Sequence, residues 1–410
     1  MMWKLDLGDE VSEKKPLGGR PTISILIGAG FSVPMGYPIG NRVNDILSNF
    51  DYNRIDISPA GELYNSRERS SIISTQYQRN LVFCGRMIDA YTKAQDGKFD
   101  YEEFFDFIHS KEIFEESYLR VSEGLVAENE DYHDYVYGLD NIFTQMVSHV
   151  IRDGNGEIWY DNKPNQIGFV KGYDTFLQVL SKWSDDYIVN VHTLNHDMLF
   201  ESFNKTEYLS GKICDGFDEY GSEYYGVLTA CQGRRYNVRL ERYTARYNKP
   251  VRLYKLHGSF DYVFYYKSYG NILTPSICVK RRYGIDLKSL KRGIGSKMKY
   301  ESFPFAYHSN FLSGVNTKVK HYNDKVLYCK LQKRFRNNLR TAKQLIIVGY
   351  GGKDEGINDA ILDNYDYHIK PTIIIDPYPS DALIELKNKL GASLITKSIS
   401  DISKSELALD

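Results

Sequence analysis

Cysteine is scarce in this chain of 410 residues, and its spacing matches neither a zinc site nor a disulfide framework. The five cysteines are far apart and include no C-x-x-C pair: Cys84, Cys214, Cys231, Cys278 and Cys329. Structural zinc sites and secreted disulfide domains typically show closely spaced cysteine pairs. The pattern therefore argues against a cysteine-bound metal and fits a reducing compartment.

Long apolar runs and an excess of one charge are also missing. No stretch approaches the roughly 18 uninterrupted apolar residues of a membrane helix, and residues 1–20 lack the apolar core of a signal peptide. Lysine and arginine (52) balance aspartate and glutamate (53), which gives a net charge of -1. We therefore expect a cytoplasmic protein with no membrane attachment and no direct nucleic-acid binding.

Short apolar runs that end at glycine or polar residues are what the sequence does contain. TISILIG, at 22–28, suits a buried strand, and the apolar spacing of 39–50 suits a helix. Further strand-like runs follow at 187–193, 251–259, 344–351, 371–377 and 392–398, with helical patterns at 324–342, 355–363 and 380–389. This alternation predicts an α/β fold, a Rossmann-like doubly wound parallel sheet.

The first two strands are too far apart for a simple doubly wound domain. Residues 70–182 mostly place apolar side chains three and four apart, which is typical of helices. We predict that 1–60 begin the Rossmann domain, that 61–185 form a large helical insertion, and that 186–410 complete the domain. Two stretches in that last part, at about 204–248 and 262–320, are predicted to be irregular loop insertions.

The end of the first strand has the composition of a phosphate-binding turn. Gly28 and Gly30 let the backbone turn tightly and approach an anion at the start of a helix. Hydride-transferring dinucleotide enzymes place a third glycine or alanine three residues later, where this chain has Val33. A second strand carrying a ribose-binding carboxylate is also not close behind, so hydride transfer is disfavoured.

Three later strand ends carry polar groups or glycine. They are VNVHTLNHD at 189–197, YKLHGSFD at 254–261 and LIIVGYGGKDEGIN at 345–358. Ligands of open α/β sheets bind outside the carboxyl ends of the strands, which would place these groups at one site. Two plainer readings stay open: the polar residues of the first segment cap a helix, and His257 is a core histidine. His192 and His196 lie four apart but lack the glutamate of a zinc-binding helix, so no metal site is predicted.

The order of these four strand ends is more specific than any one of them. GAGFSVPMGYP, TLNHD, KLHGS and IIVGYGGKDEGIN together resemble the sirtuin superfamily, specifically its prokaryotic defence-associated NADase branch. In sirtuins the first motif binds NAD, the T-x-N-x-D element contacts ribose and nicotinamide, and the histidine of the H-G pair is the catalytic base. The resemblance implies catalytic roles for His257 and Asn195. The expected NAD-binding residues are Gly28, Ala29, Gly30, Ser32, Thr193, Asn195, Asp197, Gly349, Tyr350 and Asp376.

Two departures from the family pattern limit what the resemblance implies. Deacylating sirtuins carry a four-cysteine zinc ribbon after the H-G motif, where this chain has only Cys278 and Cys329. The F-R dipeptide that usually follows the proline is also missing, so no role is transferred to Arg42. A cleft for acyl-lysine peptides is therefore in doubt.

The resulting prediction is an NAD+ glycohydrolase that releases nicotinamide and ADP-ribose. Resemblance to the defence branch implies a homo-oligomer that depletes NAD against phage when a protein partner triggers it, such as a HerA-like ATPase or an Argonaute-type protein. Alternatives are an NAD or ADP-ribose binding module without catalysis, and an NAD-dependent deacylase. Basic segments at 280–299 and 330–343 also allow a nuclease or nucleic-acid adaptor, but a solvated loop and helix face explain them better, and they could equally dock an acidic protein partner.

Overall fold

A computed structural model describes residues 17–57, 63–65, 76–125, 131–153, 172–229, 233–269, 272–281, 285, 287–294, 299–301 and 326–407. Its strands are β1 (Thr22–Ile27), β2 (Ile55–Ile57), β3 (Leu63–Asn65), β4 (Ile188–Thr193), β5 (Ile213–Cys214), β6 (Gly216–Asp218), β7 (Tyr224–Thr229), β8 (Arg235–Arg239), β9 (Arg242–Arg246), β10 (Val251–Lys255), β11 (Tyr262–Tyr269), β12 (Ile272–Lys280), β13 (Lys291–Ile294), β14 (Lys299–Glu301), β15 (Ala342–Val348), β16 (Thr372–Ile375) and β17 (Ser393–Ile395). Its α-helices are α1 (Gly40–Ser48), α2 (Gln76–Ala94), α3 (Tyr101–Ile108), α4 (Glu116–Leu119), α5 (Tyr132–Asp153), α6 (Asp174–Asp186), α7 (Leu199–Ser202), α8 (Tyr328–Thr341), α9 (Glu355–Asn364) and α10 (Asp381–Leu390).

A seven-stranded sheet in the order β17-β16-β15-β1-β4-β10-β5 forms the centre of the protein. Each neighbouring pair is parallel, and β1 pairs with β15 on one side and with β4 on the other. Strands buried on both faces need apolar side chains on both, which explains the unbroken apolar runs. The predicted α/β class with a doubly wound parallel sheet is confirmed.

Helices cover both faces of this sheet. On one face, buried side chains of α8, α9 and α10 pack against inward residues such as Leu26 and Ile347. On the other face, α6 and α7 pack against residues such as Ile25 and Val348. The chain runs outward from β1 through β4 to β10, and later from β15 through β16 to β17. The boundary between β1 and β15 is therefore the topological switch point, where open α/β sheets bind ligands.

A separate apolar cluster lies among α1, α2, α3 and α5. Aromatic rings dominate it, and Phe104 packs against Phe143 with ring centroids 4.8 Å apart. Phe260, five residues beyond the end of β10, belongs to the same cluster. The helical pattern expected between 70 and 182 is present in the described parts of that range, while the domain boundaries stay a prediction.

The prediction of irregular loops at about 204–248 and 262–320 is wrong for the residues described there. Strand β5 joins the central sheet, and the other strands there form two antiparallel sheets of four strands, in the orders β11-β12-β9-β6 and β14-β13-β7-β8. Irregular pairing conceals the strand pattern, because the register shifts between Tyr265 and Tyr266, close to Pro275 on the partner strand. A second shift lies between Gly216 and Phe217. In the described ranges, no helix is both long and apolar enough to cross a membrane.

Candidate active site at the carboxyl ends of the parallel strands

The carboxyl ends of the central strands finish at one level. The amide of Gly28 donates to the Val348 carbonyl at 3.0 Å, and the amide of Gly349 donates to the Ile375 carbonyl at 3.0 Å. On the other side of β1, the amide of Leu194 donates to the Ile27 carbonyl at 3.0 Å. The loops that follow these strands therefore emerge side by side at one edge of the sheet.

The glycines at this edge are required by close contact between two backbone turns. A Cβ atom added to Gly28 would lie 2.5 Å from the Gly349 carbonyl oxygen, and one added to Gly30 would lie 2.8 Å from the Gly349 Cα. Gly349 has a φ of 61°, and its added Cβ would lie 2.2 Å from the Phe31 amide nitrogen. The turns after β1 and β15 thus form one continuous backbone surface at the switch point, and exposed Ala29 belongs to it.

Val33 shows why the third glycine is dispensable. The turn continues into a 3-10 helix, Ala29–Met35, in which Val33 is 46% exposed. The glycine of hydride-transferring enzymes is needed where an α-helix packs closely on the strand. Here that helix, α1, begins only at Gly40, after a longer loop.

Ser32 joins the loop after β1 to the turn after β4. Its buried hydroxyl donates to Asp197 Oδ2 at 2.9 Å and accepts from Asn195 Nδ2 at 3.0 Å. The same Asn195 nitrogen donates to the Gly28 carbonyl at 3.1 Å. Both donors of the carboxamide are therefore used to hold the loop, and the amide is fixed in one orientation.

The other polar side chains of this turn shape its backbone. Thr193 Oγ1 accepts from the Asn195 amide at 3.0 Å, and Asp197 Oδ1 accepts from the Leu199 amide at 3.0 Å, at the start of α7. Asp197 thus supports the first residue of α7 from one position before the N-cap, Met198. The half-buried Asn195 keeps a carboxamide oxygen that accepts no hydrogen bond from the described residues.

His257 lies beyond the end of β10 and faces a carboxylate that the sequence reasoning did not select as a functional residue. Its Nε2 is 3.3 Å from Asp354 Oδ2, and the two side chains are 7% and 12% exposed. The other oxygen of Asp354 accepts from the Ile357 amide at 3.1 Å and caps α9. The acidic start of the helix after the third glycine motif was visible in the sequence, but its pairing with His257 depends on the fold.

A carboxylate beside a histidine gives this pair acid-base character. It holds the orientation of the imidazole and stabilises the imidazolium that forms when the histidine accepts a proton. The ring of His196 lies next to His257, with centroids 6.5 Å apart. His192 does not join them, because it is stacked on Tyr254 inside the sheet core, where burial lowers its pKa to about 3.

The remaining predicted binding residues line the edge on the side of β15 and β16. Tyr350 is buried, and its hydroxyl donates to Asn358 Oδ1 at 2.8 Å, so this side chain braces the turn. Burial raises the pKa of this phenol. Asp376 ends β16, accepts from the Tyr378 amide at 2.8 Å through Oδ1, and has a pKa raised by burial.

The structure thus brings most of the predicted residues into contact. Hydrogen bonds or backbone packing join Gly28, Gly30, Ser32, Thr193, Asn195, Asp197 and Gly349. Tyr350 follows Gly349 directly, whereas Asp376 lies at the neighbouring strand end with no side-chain contact to that group. Within the described ranges, no cluster of three or more histidine, cysteine, aspartate or glutamate side chains is arranged to hold a metal.

Comparison with solved structures finds Sir2-type proteins. A Sir2 homologue in complex with NAD has a TM-score of 0.39 and 10% identity, covering 96% of this chain and 90% of that chain. A mutant of Sir2 homologues with 2′-O-acetyl ADP ribose has a TM-score of 0.38 and 10% identity, covering 95% and 91%. A Sir2 homologue mutant with ADP ribose has a TM-score of 0.34 and 8% identity, covering 95% and 92%. No protein-family model and no curated protein matches the chain. Scores this low support no inference about activity, so the function is argued from the chain's own residues.

Proposed function

We propose that this protein is an NAD+ glycohydrolase whose site lies at the switch point between β1 and β15. The observation that carries the proposal is that a fixed Asn195 follows β4 and a buried His257, paired with Asp354, follows the neighbouring strand β10 at the same edge of the sheet. The packed turns after β1 and β15 present their backbone at the same edge of the sheet. A protein that only binds the dinucleotide has no use for a histidine backed by a carboxylate.

Cleavage of NAD requires little acid catalysis, because the nicotinamide ring is already positively charged and leaves the ribose as a neutral molecule. The ribose carbon passes through an oxocarbenium-like state, and water supplies the oxygen that replaces nicotinamide. The overall change is NAD+ plus water to nicotinamide, ADP-ribose and one proton. His257 takes that proton, and Asp354 stabilises the resulting charge. The carboxamide oxygen of Asn195, which accepts no hydrogen bond from the part of the chain that the structure describes, orients a ribose hydroxyl or the attacking water.

Two variants test the proposal directly. Purified protein is incubated with NAD, alone and with candidate protein partners, and nicotinamide release is measured. His257→Ala and Asn195→Ala should each lower the rate by about a hundredfold or more, since a positioned base contributes roughly 100-fold to 10,000-fold. His368→Ala, at an exposed position beyond α9, is the matched control and should keep the full rate. An undiminished rate in folded His257→Ala would refute the assignment. Binding of ADP-ribose without nicotinamide release would favour the binding module.

The proposal extends to the biological setting implied by the sequence motifs. We infer a homo-oligomeric enzyme that a protein partner switches on to deplete NAD during phage infection, because unregulated cleavage would poison the cell that makes it. Because the sequence lacks the four cysteines of a zinc ribbon, we propose hydrolysis of NAD as the reaction instead of deacylation of a protein. Mass measurement in solution with and without a HerA-like ATPase, together with the nicotinamide assay, tests the partner and the assembly.

A further inference from the structure

A lysine with no solvent exposure lies directly beneath the candidate site. Lys255 is the last residue of β10, and its side chain is 0% exposed. Lysine is almost never fully buried unless its ammonium is paired, because removing the charge from water is costly. The contacts of Lys255 therefore indicate what its burial achieves.

The ammonium of Lys255 donates hydrogen bonds to the backbone of the turn that carries Asn195. It donates to the carbonyl oxygens of His196, at 3.4 Å, and of Asp197. It also contacts Met198 Sδ at 3.8 Å. These three residues are consecutive and directly follow Asn195. Inward carbonyls in such a turn need donors, and one buried lysine supplies them.

A carboxylate balances the buried charge. Glu201, on α7, places Oε1 3.1 Å from Lys255 Nζ, and its side chain is only 15% exposed. Burial raises the pKa of Glu201 even though Lys255 and Lys280 act in the opposite direction. The lysine thus joins three elements: strand β10, the turn after β4, and helix α7.

The position of Lys255 in β10 connects this turn to the proposed base. Lys255 lies two residues before His257, so one short segment carries both the ammonium that holds the turn and the histidine that would act on substrate. Ser259, two residues beyond His257, also reaches the turn, and its Oγ lies 3.3 Å from Met198 Sδ. Lys255 therefore links the turn that follows Asn195 to the segment that carries His257.

We propose that Lys255 is a positioning residue, which sets the turn bearing Asn195 and Asp197 against the strand bearing His257 through its contacts with the turn carbonyls and Glu201. The effect of Lys255 on kcat rests on the proposed function, because it can be measured only if the protein cleaves NAD. Lys255 touches no substrate and acts through the groups that it holds.

The chain contains a matched control for a generic loss of lysine contacts. Lys212 Nζ donates to the Ser181 carbonyl at 3.3 Å and to Ser184 Oγ at 3.0 Å, and it lies 3.6 Å from Asp185. These contacts hold the end of α6, away from the strand ends of the site. Lys212→Met therefore removes the same kind of contacts without touching the turn.

The kinetic test compares Lys255→Met, Lys255→Arg and Lys212→Met. Displacing a catalytic group by about 1 Å can lower a rate roughly 100-fold, so Lys255→Met should lower kcat by about 10-fold to 100-fold while KM changes less than about threefold. Lys255→Arg, which keeps a buried cation, should recover part of that loss. Lys212→Met should keep the kcat of the parent protein. A kcat in folded Lys255→Met equal to that of Lys212→Met would overturn the inference.

A second measurement keeps this inference separate from the proposed function. Amide hydrogen exchange at Asn195 and Leu199, whose N–H groups bond to Thr193 and Asp197 side chains, reports the turn whether or not NAD is cleaved. Exchange should be at least about tenfold faster in Lys255→Met than in Lys212→Met. Absence of NAD cleavage by the parent protein, both alone and with its candidate partners, would refute the proposed function alone, whereas unchanged exchange would refute the positioning role. If Lys255→Met does not fold, the same exchange measurement is made on Lys255→Arg and Glu201→Gln. Exchange like that of the parent protein in both variants would overturn the positioning role of Lys255.

Discussion

At the scale of single residues, the glycines of the site have a purpose that does not depend on a ligand. Gly28, Gly30 and Gly349 allow two backbone turns to touch, and a Cβ on any of them would overlap backbone atoms. The sequence pattern alone suggested that they approach a phosphate. Close packing of the turns builds the surface first, and a dinucleotide would then meet a preformed wall.

Replacing Gly349 should therefore unfold the edge of the sheet, and a nearby glycine provides the comparison. In Gly349→Ala the alanine must adopt the left-handed φ of this position, which costs about 1–2 kcal/mol, and its Cβ overlaps backbone atoms of the other turn. We therefore expect the free energy of unfolding to fall by at least about 3 kcal/mol. An alanine Cβ at Gly351 meets open space, so Gly351→Ala should change stability by less than about 0.5 kcal/mol. Urea denaturation measures both, and equal values would contradict the packing argument.

The fold places Asp354 beside His257, a contact that the sequence does not predict. Asp354→Asn removes the charge beside His257 and preserves the cap of α9, because asparagine caps helices as well as aspartate does. A carboxylate this close to an imidazolium stabilises its charge by at least about 1.4 kcal/mol, so kcat for NAD cleavage should fall at least about tenfold with little change in melting temperature. Asp359→Asn, at an exposed position on α9, is the control, and a full rate in Asp354→Asn would exclude the pairing from catalysis.

At the scale of secondary-structure elements, the sequence predicted the parallel strands well and the antiparallel ones not at all. The run 22–28 corresponds to β1 and the run 187–193 to β4, because strands buried on both faces need uninterrupted apolar residues. Strand β11 begins with aromatic and β-branched residues that favour strands, but its partner β12 contains a proline and the pair has a register shift, so a regular alternation is missing. Candidate site residues were predictable from strand ends, whereas the contact of His257 with Asp354 required the sheet order.

Ser32 carries an element-scale prediction, because one hydroxyl connects the loop after β1 to the turn after β4. Ser32→Ala removes one buried hydrogen-bond partner from Asn195 and one from Asp197, which should lower the free energy of unfolding by about 1–3 kcal/mol. Ser117→Ala, at an exposed position of α4, should change it by less than about 0.5 kcal/mol. Chemical denaturation compares the two, and similar values would show that the bridge adds no stability.

At the scale of the whole molecule, the pH dependence of folding should reveal how tightly the sheet core is closed. His192 lies within that core between Tyr254 and Phe335, and its Nε2 is 3.1 Å from Asn338 Nδ2. Burial lowers its pKa from 6.5 to about 3, so the folded protein keeps this histidine neutral where the unfolded chain protonates it. Stability from this residue is complete above pH 6.5 and falls as the pH decreases toward 3.

The size of this effect follows from the number of pH units crossed. Each unit below 6.5 removes about 1.4 kcal/mol, so His192 should account for about 2 kcal/mol of lost stability at pH 5. Burial alone would lower the pKa of His109, but contacts with Asp140 and the Phe105 carbonyl raise it above its ordinary value. The contribution of His109 to stability therefore changes above pH 6.5 and not between pH 6.5 and 5. His192→Gln keeps a hydrogen-bond acceptor for Asn338 and cannot titrate. Denaturation midpoints measured from pH 7.5 to 5 should therefore fall less steeply in this variant than in the parent protein. Parallel curves would mean that the core around His192 opens to water before the protein unfolds.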